Sequence, residues 1–514
     1  MEISTTPESF DHICDVIVVG CGYAGAVAAI EAHDAGADVL ILEKAPDIGG
    51  ISICSAGGLR IAFDANEALT YLAETNAGTT DHSVLHSLAV GMTALEKQVR
   101  NLAAVNGAKV SVRPSNGNYP FDGHKTFGFA YIDDIPGFDH TVSYPHVRGS
   151  PAGALLFKVL EDNLRKRNIP IHLSSPATRL LKDDQGGVAG LIFQNRDTIQ
   201  TLGARLGVVL ACGGFEGDPS MQRQFWQEKP VFPAAYRANT GDGIRMAQHM
   251  GAALWHMWHY HGSYGFQHPD PAYPFAIRTK RLPDWQPGED LREEVYMPWI
   301  LLNRSGRRFM NEYEPYLQDT GARPFSRFLP ESQEYSALPC WLISDTEGGK
   351  LYPFGRPTSH ERGIDYEWSP DNEKEIELGI LGRADDLPDL ANKIGVPKAI
   401  LSESLQNWNN SCDTGSDKDF GRPPTSMMPI RTPPYIYGKI WPIVSNTQGG
   451  PVHDAEQRII DVYGEPIPRL YAAGEMGSAF GHLYMSGGNL AECFIGGRAA
   501  GRTAAKETSR DVHT

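Results

Sequence analysis

The chain predicts an α/β fold of two domains, a Rossmann-like nucleotide-binding domain interrupted by an inserted α+β capping domain. Three observations predict it. The run Asp15-Val-Ile-Val-Val-Gly20-Cys-Gly22-Tyr23-Ala24-Gly25 is an apolar strand that turns through glycines into a helix. A second glycine-ended strand, Leu470-Tyr-Ala-Ala-Gly474-Glu475, stands near the far end. Between Pro271 and Tyr435 the α/β texture gives way to aromatic, Pro-rich and charged sequence. The first domain is therefore read as residues 1–270 and 436–514, and the inserted one as 271–435.

The glycine run comes first because it names a ligand class. Gly20, Gly22 and Gly25 let the backbone turn tightly and approach a pyrophosphate lying on the N-terminus of the Ala-rich helix that follows. The next strand, Asp38 to Lys44, ends in Glu43, at the remove of ~20 residues where an acid accepts hydrogen bonds from an adenosine ribose. Gly49, Gly50, Ser52, Ser55, Gly57 and Gly58 then make a loop of small residues on which a cofactor can lie against backbone. Residues 65–106 read as helical, and 114–149, rich in Gly, Pro and aromatics, as an irregular site wall. A helix from Pro151 through Leu164 leads to strand patterns at 169–173 and 190–193, and the strand at 207–210 ends in a glycine turn through Ala211, Gly213 and Gly214. Asn239-Thr-Gly-Asp242-Gly opens another helix. Within the insert, helices are expected near 373–381 and 397–408; after it, 467–472 restores a strand and 488–506 a small-residue helix.

Composition narrows the function. With 514 residues there is ample core for two or three domains, and a formal charge of −16 disfavours nucleic acid and anionic membrane as partners. The seven cysteines are scattered without a metal-ligand spacing and read as reduced thiols, with neither an iron-sulfur cluster nor structural zinc. Residues 1–12 show no secretory pattern, and no apolar run reaches the ~18 residues of a membrane span, so a cytoplasmic protein is expected.

Taken in order, Val18 to Gly25, Glu43-Lys44 with Gly49-Gly50, Leu210-Ala-Cys-Gly-Gly-Phe, Thr240-Gly-Asp-Gly, Gly306-Arg-Arg-Phe-Met-Asn-Glu312, Thr447-Gln-Gly-Gly450 and Ala472-Ala-Gly-Glu475 resemble the flavoproteins of the fumarate reductase and 3-ketosteroid dehydrogenase superfamily. The resemblance implies an extended FAD, noncovalent because no histidine stands in the loop 49–58, with the insert closing over the isoalloxazine. It also implies Glu475 at the ribityl hydroxyls and Asn489 and Leu490 at the ring, where the last helix begins. Cofactor contacts are expected from Gly20, Gly22, Tyr23, Ala24, Gly25, Glu43, Lys44, Gly49, Gly50, Ser52, Ser55, Gly57, Gly58, Ala177, Ala211, Gly213, Gly214, Asn239, Asp242, Gly474, Glu475, Gly488, Asn489 and Leu490.

Which reaction follows depends on what faces the ring. A dicarboxylate calls for arginine forks and histidines. Where fumarate reductases carry such groups this chain has Tyr316 and Asn446, and the C-terminal loop reads His482-Leu-Tyr484-Met-Ser486-Gly-Gly488. The pattern is similar to 3-ketosteroid dehydrogenases, with Ser486 matching their 4-ene-forming branch. That resemblance implies Tyr484 O–H and Gly488 N–H on a ketone oxygen and Tyr316 as base. Since the free phenol has a pKa of ~10, Tyr316 then needs a cationic or hydrogen-bonding neighbour. The expected cavity is neutral and lined by phenols and amides. His256, His259 and His261 lie in a Trp-rich cluster that reads as packing or a flat substrate wall rather than metal ligands, and Tyr296-Met-Pro-Trp299 as a pocket floor. The leading expectation is an FAD-dependent dehydrogenase that forms a double bond beside a ketone in a small, cyclic, apolar substrate, with an unidentified electron acceptor. An ene-reductase of the same family is the alternative, and a flavin-bearing protein without turnover a third reading.

Overall fold

The computed structural model describes residues 7, 9–286, 288–291 and 293–513, so part of the N-terminal stretch read for a signal lies outside the described residues. Two large sheets organise the chain. The first runs Arg458–Ile460, Pro466–Ala472, Thr198–Leu210, His12–Val19, Val39–Leu42, Ile171–His172, parallel along this path after its first pair, with Val188–Asn195 and Ala177–Lys182 added antiparallel off Thr198–Leu210. Buried on both faces, its central strands read as the unbroken apolar runs Val16–Val19 and Val39–Leu42. Helices Tyr23–Asp34 and Gly488–Ala505 pack together against it. Gly497 and Gly501 make that contact possible, because a Cβ at Gly501 would lie 2.2 Å from the Ala28 carbonyl oxygen.

The second sheet runs Ile300–Leu302, Cys340–Asp345, Tyr435–Val444, Tyr264–Gln267, Ala276–Thr279, Gly355–Arg356, antiparallel along this path. It encloses its own core around Trp299, Phe354 and Ile440. The boundaries read from composition cut through this sheet. Tyr264–Gln267 precedes residue 271 and most of Tyr435–Val444 follows residue 435, because apolar strand sequence reads the same in either domain.

The stretch 114–149 is more regular than its Gly and Pro content predicts. Phe127–Asp134 pairs with Leu59–Ala62 and Lys109–Pro114, and its Phe129 and Tyr131 form a site wall with residues 115–118. The helical span 65–106 is two helices, Ala65–Asn76 and His82–Ala103, broken where Ala77 and Gly78 take positive φ. None of the seven cysteines is paired. Among the described residues no helix is long and apolar enough to cross a membrane.

Candidate active site

One cavity of about 520 Å³ runs from the C-terminal ends of the parallel strands to the underside of the antiparallel sheet. At one end Gly20, at φ +99°, turns the strand His12–Val19 into its helix. A Cβ on Gly20 would lie 2.5 Å from the Ala211 oxygen, and one on Gly25 would lie 1.9 Å from the Gly20 oxygen. Glu43, buried, accepts the N–H groups of Cys21 and Ala45, both at 2.8 Å. Burial pushes its carboxyl up despite those bonds. Lys44 is tied to Asp242 at 2.7 Å and Thr240 at 2.9 Å, and Ser52 accepts the N–H of Tyr23 at 3.2 Å. Two helix N-termini meet the cavity, at Gly22 and Gly487, and neither has a side-chain cap. Uncapped ends of this kind present N–H dipoles to an anion at one point and to an electron-rich ring edge at the other, so the residues present fit a dinucleotide.

Most expected cofactor positions line this cavity: Gly20, Gly22, Tyr23, Ala24, Glu43, Lys44, Gly50, Ser52, Ser55, Gly58, Ala177, Ala211, Gly213, Asn239, Asp242, Glu475, Asn489 and Leu490. Gly25, Gly49, Gly57, Gly214, Gly474 and Gly488 are absent from its lining. Each is a glycine because protein packs against it: Gly57 faces Ala152, Gly214 faces Thr447 and Glu475, and Gly474 faces Ala24. Glu475 is turned partly toward protein, accepting Thr447 N–H at 2.7 Å and Asn239 Nδ2 at 3.3 Å. Glu216, which had no expected role, shares Asn239 at 2.7 Å. Burial raises both carboxyls, Glu475 to about 7.

At the other end stand the expected reacting groups. Tyr316 is 2% exposed and its hydroxyl lies 3.1 Å from His261 Nε2. His261 Nδ1 meets Asn446 Oδ1 at 3.1 Å, and Asn446 Nδ2 donates to Asn489 Oδ1 at 3.1 Å. With its amide oxygen facing Nδ1, Asn446 makes that nitrogen the protonated one, so Nε2 is a bare acceptor for the Tyr316 O–H. Burial holds His261 down to about 3, hence neutral. Burial and then Tyr484 push Tyr316 well above the ordinary phenol value, with Arg281 opposing, so Tyr316 is a protonated phenol at neutral pH. His261 is a candidate site residue to which the Trp-rich reading gave no role beyond packing or a substrate wall. One signal pointed to it: His259 and His261 stand two apart on extended chain, hence on one face. Of that cluster His261 lines the cavity, whereas Trp258 is exposed and His256 is held by the carbonyls of Ser478 and Thr79. Of the expected floor, Met297 lines the cavity, Trp299 is core and Tyr296 is exposed.

Tyr484 packs against His261 with the rings tilted by 52° and their centroids 4.3 Å apart. Its hydroxyl accepts Asn489 N–H at 3.2 Å, which leaves its own proton for donation into the cavity. Gly488 differs from expectation, because its N–H donates to the Met485 carbonyl at 2.8 Å in the turn that starts the last helix. Ser486 lines the cavity, 3.4 Å from Arg281. The wall is not neutral. Arg60, Arg278, Arg281 and Arg356 border the same space, with Asp284, Glu289, Asp290 and Glu314 as carboxylates. Arg60 is spent on three backbone carbonyls, those of Ser486, Ser115 and Asn116, and lies over Phe129. Burial pulls Arg278 down to about 10.

Comparison with known proteins agrees with this geometry. The chain is 27% identical to a fumarate reductase (cytochrome) of Shewanella frigidimarina, over 97% of this chain and 78% of that protein. It is 26% identical to a 3-oxosteroid 1-dehydrogenase of Mycobacterium tuberculosis, over 91% and 94%. The fold matches the crystal structure of 3-ketosteroid delta1-dehydrogenase from Sterolibacterium denitrificans with a TM-score of 0.79 at 24% identity, covering 96% of this chain and 99% of that one. The FAD binding domain family matches residues 15–490; the chain belongs to that family and is an FAD-dependent oxidoreductase.

Proposed function

We propose that the protein dehydrogenates the carbon pair beside a ketone in a cyclic substrate, with noncovalent FAD held by the parallel-sheet domain and capped by the antiparallel one. The observation that carries this reading is the convergence of Tyr484 and Tyr316 on one side chain, His261, at the cavity wall. Tyr484 donates to the ketone oxygen. Its phenol is polarised for this by Asn489 N–H, and the bond strengthens as enolate character develops. The α proton passes to the Tyr316 oxygen once that phenol has ionised; Arg281 favours the phenolate against burial, and the neutral His261 Nε2 orients the hydroxyl. Bound FAD supplies the acceptor for the β hydrogen and its electron pair. Anaerobic mixing of the holoenzyme with a saturated cyclic ketone should bleach the flavin absorbance, and failure across steroid and cyclohexanone-type ketones would reject the proposal.

The reductive direction has one observation in its favour. A buried, protonated Tyr316 is already in the state that donates a proton to a forming carbanion. Reoxidation of the chemically reduced holoenzyme by a cyclic enone, faster than bleaching by the saturated ketone, would favour it.

A further inference from the structure

Among the described residues Arg278 has no hydrogen-bond or ion-pair partner. Its Nε is buried without a hydrogen bond, and among the described residues no oxygen meets its guanidinium. Across the antiparallel pair Ala276–Thr279 and Gly355–Arg356 it sits directly opposite Arg356, which also borders the cavity and is exposed to solvent. Like charges facing each other across a ladder are destabilising unless something anionic lies between them. Arg281, three residues on, has only long contacts, to Asp284 at 3.5 Å and to Ser486 at 3.4 Å. About 37% of its side chain is accessible because it borders the cavity. The groups acting on Arg278 are Tyr316, Arg356, Arg281 and Cys54, with no carboxylate among them. Its charge is also felt at His261, so Arg278 lies close to Tyr316 and Tyr484.

We propose that Arg278, with Arg356 and Arg281, forms an anion subsite that takes a carboxylate carried by the substrate away from its carbonyl. The substrate class is then an oxo acid whose carbonyl is held by Tyr484 and whose carboxylate lies between the two cap strands. The inference rests on the reading of Tyr484 as the carbonyl donor.

The test is binding, followed by perturbation of the flavin spectrum of the holoenzyme. The probes are 4-oxocyclohexanecarboxylate and its methyl ester, which differ in charge and share the ketone. The acid should bind about 10- to 100-fold more tightly than the ester, as expected for charge-assisted hydrogen bonds. Arg278→Gln should abolish most of that preference and Arg278→Lys should keep part of it. Equal affinity for acid and ester, no perturbation by the acid, or a preference that survives in the Arg278→Gln/Arg356→Gln double variant would overturn the proposal. So would loss of bound FAD in Arg278→Gln, which would place these arginines on the cofactor phosphates. An intact preference for the acid in a protein whose flavin no ketone bleaches would sink the dehydrogenase reading and leave the subsite standing.

Discussion

The Asp319 carboxylate accepts the backbone N–H of Tyr484 at 3.0 Å, so the short helix after Tyr316 fixes the loop that carries the second tyrosine. The same carboxylate takes the Tyr119 hydroxyl at 2.5 Å and His259 Nε2 at 3.3 Å. Burial would raise Asp319, but His259, Arg323 and Tyr119 outweigh it and hold it below the usual carboxylate range. Asp319→Asn keeps the shape and turns one acceptor into a donor among these groups. It should lower holoenzyme stability by about 1–3 kcal/mol, the cost of leaving buried partners unsatisfied, and reduce kcat more than FAD content. Thermal unfolding and the flavin-to-protein absorbance ratio check this.

Tyr484→Phe removes the proton aimed at the carbonyl while leaving the ring contacts with His261 and Phe480. Single-turnover flavin reduction should slow by about 10²–10³-fold, the usual loss of one such donor, with bound FAD unchanged. A rate within threefold of the parent would remove Tyr484 from this role.

His261→Gln separates a residue that orients the Tyr316 hydroxyl from one that only packs. Because His261 is held down to about 3, the parent should show no imidazole titration between pH 5 and 8. In the variant, flavin reduction should fall by about 10-fold with bound FAD retained and the pH profile set by Tyr316 unchanged. Loss of bound FAD and of thermal stability in step with the rate would indicate packing alone.

Glu492 is buried and pushed up to about 7 from 4.5, chiefly by burial. The native state therefore binds more protons than the unfolded chain between these values, and this group's contribution to stability falls as pH rises from 4.5 to 7. Subtracting the stability of Glu492→Gln from that of the parent isolates the contribution, which should decline by up to about 3 kcal/mol across the window. A flat difference would show that Glu492 titrates normally.

Gly25→Ala would bring its methyl 1.9 Å from the Gly20 oxygen and force the helix Tyr23–Asp34 off its strand. Destabilisation of about 1–3 kcal/mol, with loss of FAD on gel filtration, is expected. Gly50→Ala meets no protein atom within 4 Å, so its cost to the fold itself should be confined to the strain of a φ of +49°.

The amino-acid sequence by itself determined the strand, glycine turn and helix at Gly20 to Gly25, the acid at Glu43 and the second glycine strand end at Gly474, whereas Tyr316 and Tyr484 were singled out by the resemblance to 3-ketosteroid dehydrogenases. Each of the first three is a matter of residue type at short spacing, where backbone geometry leaves few alternatives. Only the tertiary structure decided that His261, Tyr316 and Tyr484 share one wall, that Arg278 opposes Arg356, and that the Gly488 N–H is already taken by Met485. Those relationships join segments far apart along the chain, and whether a donor is free or a charge unpaired depends on which segment packs across from it.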